Sequence, residues 1–255
     1  MKRTEIINGI IKKHGFKSYL EIGVNDGKNL NAIECRDKYG TDIADLSHLK
    51  IDSAIYYKTS SDDFFNALGD GMSENVTNFP THYDCIFIDG DHTHKQSERD
   101  LKNALQHLKE GGLILLHDTN PNNIKEITPK NNGKAWCGEV WKTILEAQWE
   151  GYKIQTIPDD YGLTIITGEI DFTSSHTLPT PQEFLKNKSS LLNFISYNDY
   201  IKSCDKPKEK DTNDIQIDDI NHMTDEELKD FYKTVYGKKP KGRFIREKVI
   251  DRLIN

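Results

Sequence analysis

Tyr19-Leu20-Glu21-Ile22-Gly23-Val24-Asn25-Asp26-Gly27 decides the fold of this chain, together with two later stretches of the same build. These are Cys85-Ile86-Phe87-Ile88-Asp89-Gly90-Asp91-His92 and Gly112-Leu113-Ile114-Leu115-Leu116-His117-Asp118. Each is an apolar run that stops abruptly at acidic, His or Gly residues. Strands buried in a parallel sheet read this way, and the carboxyl ends of such strands carry ligand chemistry. Three ends of this kind, in this order, point to one site.

Outward from these runs the pattern alternates. Ile6, Ile7, Ile10 and Ile11 mark one face of a helix from Thr4 to His14, which Gly15 stops. The first strand, Ser18 to Ile22, follows, then a short helix after Gly27 with Leu30 and Ile33 inward. A second strand ends at Tyr39-Gly40-Thr41-Asp42. A third, Ala54 to Tyr57, leads into Ser60-Ser61-Asp62-Asp63-Phe64-Phe65, a helix cap before two aromatics. The fourth strand is Tyr83 to Ile88, and its helix, Thr93 to Leu108, carries Leu101, Ala104, Leu105 and Leu108 at helical spacing. Glu110-Gly111-Gly112 opens the fifth strand. A loop from Asn120 to Gly133, a helix from Glu139 to Trp149 and a closing strand pair, Tyr152 to Ile157 and Leu163 to Thr167, complete the pattern. It predicts an α/β fold with a doubly wound, mainly parallel sheet over residues 1–170. A helical extension is expected over 171–201, a charged linker over 202–221 and a small helical module over 222–255.

The 255 residues are 35% apolar and 29% charged, with a formal net charge of −7. That balance allows a real core and gives no support for whole-chain nucleic-acid binding. No signal peptide or membrane span is visible, and the four cysteines form no C-x-x-C pair. The expectation is a reduced, cytoplasmic chain.

Glu21-x-Gly23-x-x-x-Gly27 follows a buried strand and opens a helix. Glycine lets backbone pass close to a ligand, and the helix start presents free N–H groups. Asp42 closes the next strand about twenty residues after Glu21, where an acid holds a ribose hydroxyl pair. The competing reading is a tight strand-to-helix turn with no ligand.

The chain resembles a class I S-adenosylmethionine-dependent methyltransferase of the bacterial and phage branch that carries "YLEIG…G", "FIDGDH" and "HDT" segments. The resemblance runs on through Gly138-Glu139-Val140-Trp141 and Asp160-Tyr161-Gly162-Leu163 and covers residues 16–200. It implies a Rossmann-like methyltransferase sheet with S-adenosylmethionine as cofactor. It implies that Glu21 and Gly23 lie against the methionine part of the donor, that Asp42 binds the ribose, and that Ser60, Ser61 and Asp62 flank the adenine. Related sugar O-methyltransferases have an acid at the fourth strand end, acids at the fifth and a His three residues after the first acid; Asp89, Asp118 and His92 match. His117 departs from that pattern, since an acid commonly stands there.

Asp89 and Asp118 end strands that flank the first strand, so both carboxylates are expected in one crevice. Two carboxylates at a ligand site bind a divalent cation or keep one proton between them. A metal set of Asp89, His117 and Asp118 is expected, holding Mg or Mn, with His92 as general base. Asp89 is also counted on the cofactor side. The alternatives are that Asp118 caps the loop at Thr119-Asn120 and that His92 caps the helix after Asp91. His94 and His107 read as solvated helix residues.

These readings converge on O-methylation of a small hydroxylated acceptor, a sugar or glycan by resemblance. The rivals are a non-catalytic binding module tethered by the tail, and a nicotinamide-dependent oxidoreductase, against which the missing third glycine counts. In the tail, Thr224 and Glu227 form a capping box; Leu228, Phe231, Tyr232 and Val235 make an apolar face before the basic turn Gly237–Arg243 and a second helix. This resembles helix-extension-helix modules of the SAP or LEM kind and suggests a nucleic-acid or protein partner. Docking of the unit on its own domain or on a second subunit is the equal alternative.

Overall fold

All five residues of β1 (Ser18–Ile22) are buried, because strands flank it on both edges and helices cover both faces. The computed structural model describes residues 1–46, 53–70, 78–131, 133, 135–167, 177–205, 224 and 226–229. The elements in chain order are α1 (Arg3–His14), β1, α2 (Lys28–Ala32), β2 (Asp37–Asp42), β3 (Ala54–Lys58), α3 (Ser61–Asp70) and β4 (Tyr83–Ile88). They continue with α4 (His94–Gln106), β5 (Leu108–His117), α5 (Val140–Trp149), β6 (Lys153–Ile157), β7 (Leu163–Thr167), α6 (Pro181–Leu191) and α7 (Tyr197–Ser203).

One seven-stranded sheet has the order β3-β2-β1-β4-β5-β7-β6. The pairs from β3 to β5 are parallel. β7 is antiparallel to both β5 and β6. The chain reverses direction between β1–β2–β3 and β4–β5, so a crevice opens at the carboxyl ends of β1 and β4, where ligands bind in such sheets.

Alternation along β1 feeds two cores. Leu20 and Ile22 join Phe64, Leu101, Ile144 and Phe184 on one face, while Tyr19 joins the α1 isoleucines, Leu30 and Tyr200 on the other. The fold is therefore the expected doubly wound α/β sheet. α4 ends at Gln106 and β5 begins at Leu108, earlier than the Gly111-Gly112 opening read from sequence. The register between β4 and β5 shifts between Tyr83 and Cys85, which absorbs the added residues. The helical extension expected over 171–201 contains two helices, α6 and α7, separated where Phe194 bridges Thr156.

The chain divides into two compact units, Met1–Cys204 and Asp205–Asn255. In the second, the Thr224 hydroxyl accepts from Glu227 N at 3.3 Å and Glu227 Oε2 accepts from Thr224 N at 2.8 Å, which forms the expected capping box. Phe231 and the rest of the tail lie outside the described residues. Among the described residues no helix is long and apolar enough to cross a membrane.

Candidate active site

A cavity of about 660 Å³ lies over the carboxyl ends of β1, β2, β4 and β5. Gly23, Asp42, Ser60, Ser61, Asp62, Asp89, His92 and Asp118 all line it, so the structure brings together most of the residues expected from sequence. Glu21 and Gly27 are not on its wall.

Glu21 is 1% exposed. Its Oε2 accepts from the Tyr19 hydroxyl at 2.7 Å and from Asn29 Nδ2 at 2.9 Å. Burial pushes the Glu21 carboxyl up to about 8, against the lowering effect of those two hydrogen bonds. Its reach is thus into the helix-covered core. Gly27 starts α2 in the left-handed conformation, φ 74°, and serves the turn. Gly23 has φ 88°, and a Cβ there would lie 2.3 Å from the Asp89 carbonyl oxygen. Glycine is needed because β1 and β4 ends pack backbone on backbone, which sets the position of Asp89.

Asp42 stands at the rim with both oxygens engaged: Oδ2 accepts from Asn25 N at 2.7 Å and Oδ1 from Ala44 N at 2.9 Å. Each carboxylate oxygen retains a second lone pair for a ligand hydroxyl. Ser60 caps α3, accepting from Asp63 N at 3.1 Å. Gln96 Nε2 donates to Ser61 Oγ, Asp62 Oδ1 and Asp100 Oδ1 at 3.2, 3.2 and 2.9 Å, which ties α4 to the start of α3.

The other half of the cavity is a knot of two acids and two imidazoles. His117 Nδ1 lies 3.1 Å from Asp89 Oδ1 and 3.3 Å from Asp118 Oδ2, and its Nε2 lies 2.7 Å from the Asp160 carbonyl oxygen. A carbonyl only accepts, so Nε2 carries a proton; the carboxylates call for a second on Nδ1. Burial acts to lower the His117 value, but Asp89 and Asp118 carry it to about 10. His117 lies off the cavity wall and outside the group placed to hold a cation, and its two nitrogens are taken up by the Asp160 carbonyl and the two carboxyl groups, so the structure does not bring it in as the expected metal ligand. Burial alone would push the Asp89 carboxyl up. The His117 charge, then hydrogen bonds from His117 and His92, hold it below the ordinary carboxylate range.

His92 Nδ1 lies 2.9 Å from the Trp136 carbonyl oxygen and therefore donates. That leaves Nε2 at 3.3 Å from Asp118 Oδ2 and 3.6 Å from Asp89 Oδ1. Burial lowers the His92 value, and Asp89 and Asp118 more than offset it, so it stands above the usual imidazole range. The Trp136 ring stacks on His92 at 4.9 Å. Glu139 N donates to the His92 carbonyl at 2.7 Å, and a Cβ on Gly138 would meet that oxygen at 2.4 Å. The Trp136–Glu139 loop thus fixes His92 in backbone and ring.

Both capping alternatives fall away here. Thr93 caps α4, and Asp91 Oδ1 accepts from Thr93 N at 2.7 Å, so the His92 ring is left to the cavity. Asp118 Oδ2 faces the imidazoles. His94 and His107, expected in solvent, bond Glu146 and the Thr81 carbonyl at 2.6 and 2.7 Å.

Asp89, His92 and Asp118 each offer a ligand atom, all within 4.8 Å of one another. Two carboxylate oxygens and an imidazole nitrogen suit a divalent cation, with His92 in the place expected for His117.

Sequence reasoning missed Arg3, Gln96 and Asp100 on the cavity wall. Asp100 carried a signal: it interrupts the apolar face that Leu101 and Ala104 give α4, and it is 1% exposed. Burial raises its carboxyl.

Residues 20–119 match the family model described as a methyltransferase domain. The match is less than half of the chain and runs from β1 past Asp118, so it contains every expected site residue. No curated protein matches the sequence. Among solved structures, the chain is similar to an O-methyltransferase from Bacillus cereus in complex with SAH, with 13% identity, 65% of this chain and 80% of that one covered, and a TM-score of 0.47. It is similar to the SAH-bound Podospora anserina methyltransferase PaMTH1, with 15% identity, 68% and 78% covered, and a TM-score of 0.47. For MycE, a methyltransferase of the mycinamycin biosynthetic pathway in complex with Mg, SAH and mycinamycin VI, the values are 17%, 64%, 47% and 0.41. The fold assignment rests on the strand order, not on these likenesses.

Proposed function

We propose that the unit Met1–Cys204 is an S-adenosylmethionine-dependent O-methyltransferase acting on a small hydroxylated acceptor. One observation carries this reading: a single cavity joins Gly23, Asp42 and Ser60–Asp62 to the Asp89–His92–Asp118 group. The methyltransferase-domain match over residues 20–119 supports it. By this reading Asp42 holds the ribose, Ser60, Ser61 and Asp62 surround the adenine, and the backbone at Gly23 faces the methionine part.

The sulfonium methyl is already activated, so the protein has to align the two reactants and remove a proton. His92 removes it. With Nδ1–H committed to Trp136, Nε2 of the neutral ring, the form that Asp89 and Asp118 shift to higher pH, takes the acceptor's hydroxyl proton. The oxygen attacks the methyl carbon, and the C–S electron pair stays on sulfur to give S-adenosylhomocysteine. Asp118 and Asp89 face the resulting imidazolium. In the alternative arrangement Asp89, His92 Nε2 and Asp118 would hold a divalent cation; Nε2 would then be a ligand and not the base, and such an ion would stabilise the acceptor's deprotonated oxygen. Full turnover in chelator removes the cation from the reading; loss of turnover restored by Mg or Mn establishes it.

The acceptor we favour is a sugar or glycan end; Trp136 gives the wall an aromatic surface for it, and the cavity volume lies in the small-ligand range. Mass spectrometry of a metabolite pool incubated with deuterated donor tests this, a transferred deuteromethyl group on a hydroxylated product being the expected result. Binding of NAD without S-adenosylhomocysteine in calorimetry would replace this reading by the oxidoreductase one. Donor binding without turnover on any acceptor would leave a binding module. The tail, Asp205–Asn255, we assign to interaction with a protein or nucleic-acid partner, outside catalysis.

A further inference from the structure

We infer that Arg3 is the residue that receives the donor's α-carboxylate; the inference rests on the methyl-transfer reading above. Arg3 sits in the first turn of α1, and its own N–H donates to Asp160 Oδ2 at 2.8 Å. Ile6, Ile7, Ile10 and Ile11 bury the helix behind it. The guanidinium is thereby delivered to the cavity wall, over the ends of β1 and β4.

The wall is acidic. Asp42, Asp62, Asp89, Asp91, Asp100 and Asp118 line it, and Arg3 is the sole Lys or Arg among the described lining residues. A ligand that carries a carboxylate is repelled by that wall unless a cation meets it. Arg3 Nη2 lies 3.5 Å from Asp89 Oδ2, and the side chain is 35% exposed. That separation is long for a charge-assisted hydrogen bond, which runs at about 2.7–2.9 Å. The guanidinium fork, with five N–H donors, is thus turned to the cavity with capacity left for a bidentate carboxylate.

Position settles which ligand group it meets. The adenosine end is assigned to the β2–β3 side, at Asp42 and Ser60–Asp62. The cavity then passes Gly23 and reaches Asp89 and Arg3 at the β1–β4 side. An amino-acid group attached through sulfur to the ribose ends there. Arg3 therefore selects donors that keep the amino-acid part and orients the sulfonium toward His92.

Calorimetry on the full chain tests this with two probes, S-adenosylhomocysteine and 5′-methylthioadenosine, which lacks the amino-acid part. Arg3→Ala should weaken S-adenosylhomocysteine by about 10–100-fold, leave 5′-methylthioadenosine unchanged, and leave the melting curve close to wild type. Arg3→Lys should recover part of the loss. Equal weakening of both probes overturns the inference, since Arg3 then only shapes the cavity. Unchanged S-adenosylhomocysteine with a raised acceptor KM overturns it too, since the guanidinium then faces the acceptor. Both results require a wild-type chain that binds S-adenosylhomocysteine; a wild type that binds neither probe overturns the methyl-transfer reading itself.

Discussion

Replacing Glu21 by glutamine should stabilise the folded chain at alkaline pH and change little in mild acid. Glu21 is 1% exposed, and burial is the largest influence on its carboxyl, which moves from 4.5 to about 8. The Tyr19 and Asn29 donors act the other way but do not win. The unfolded chain loses this proton near 4.5 and the folded chain near 8, so between those values the folded state holds more protons. Stability then falls as pH rises, by about 1.4 kcal/mol per pH unit at most, and is flat outside the window. Across the whole window the loss is roughly 4–5 kcal/mol as an upper figure. Glutamine keeps an acceptor oxygen for Tyr19 and Asn29 and has no proton to lose. Urea unfolding of both proteins at pH values from about 5 to 9 gives the difference directly, and titrations shared by the two proteins cancel. The difference should grow with pH in favour of Glu21→Gln and level off above about 8. Parallel curves, or a less stable Glu21→Gln at pH about 9, would refute the reasoning: the carboxylate would then be ionised and paired in the fold. The same protonation has a consequence for binding. At neutral pH a protonated, buried Glu21 offers the donor no charge, so affinity for S-adenosylhomocysteine should be nearly the same in both proteins.

His92→Ala should lower methyl transfer by about 10²–10⁴ with donor binding intact, and full turnover in that variant would remove the general base. Gly23→Ala should cost about 1–3 kcal/mol in thermal or urea unfolding and lose donor affinity, because φ is 88° and the new Cβ meets the Asp89 carbonyl at 2.3 Å; a neutral result would show that the β1 and β4 ends can part. A chain ending at Asp205, after α7, should keep donor binding and turnover on a small acceptor; loss of either would place the tail in the enzyme.

Much of this was legible where the signal is local. The apolar runs at β1, β4 and β5 announce strands buried on both faces, and their polar ends announce the crevice. Period two even holds the answer for Glu21. It shares a face with Tyr19, and that face is the one α1 and α2 cover, so the strand-end acid turns into the core while Gly23, past the strand, reaches the cavity. Asp42, Ser60 and Asp62 were legible for the same local reason, since each closes a strand or opens a helix at the rim.

The division of labour between His92 and His117 was not legible, because it depends on partners far along the chain. His117 spends Nε2 on the carbonyl of Asp160, 43 residues on, and His92 spends Nδ1 on that of Trp136, 44 residues on. Backbone carbonyls leave no trace in a sequence, since every residue has one. Yet these two bonds decide the chemistry. They set the buried histidine between Asp89 and Asp118, where its charge holds the Asp89 carboxyl below the ordinary range, and they leave the other histidine one nitrogen, aimed at the cavity. Arg3 is the same case at greater range, carried to Asp89 by a helix whose sequence shows only its buried isoleucine face. The residues of the site were written at the strand ends; which atom of each is free to act was written in the loops that fold back over them.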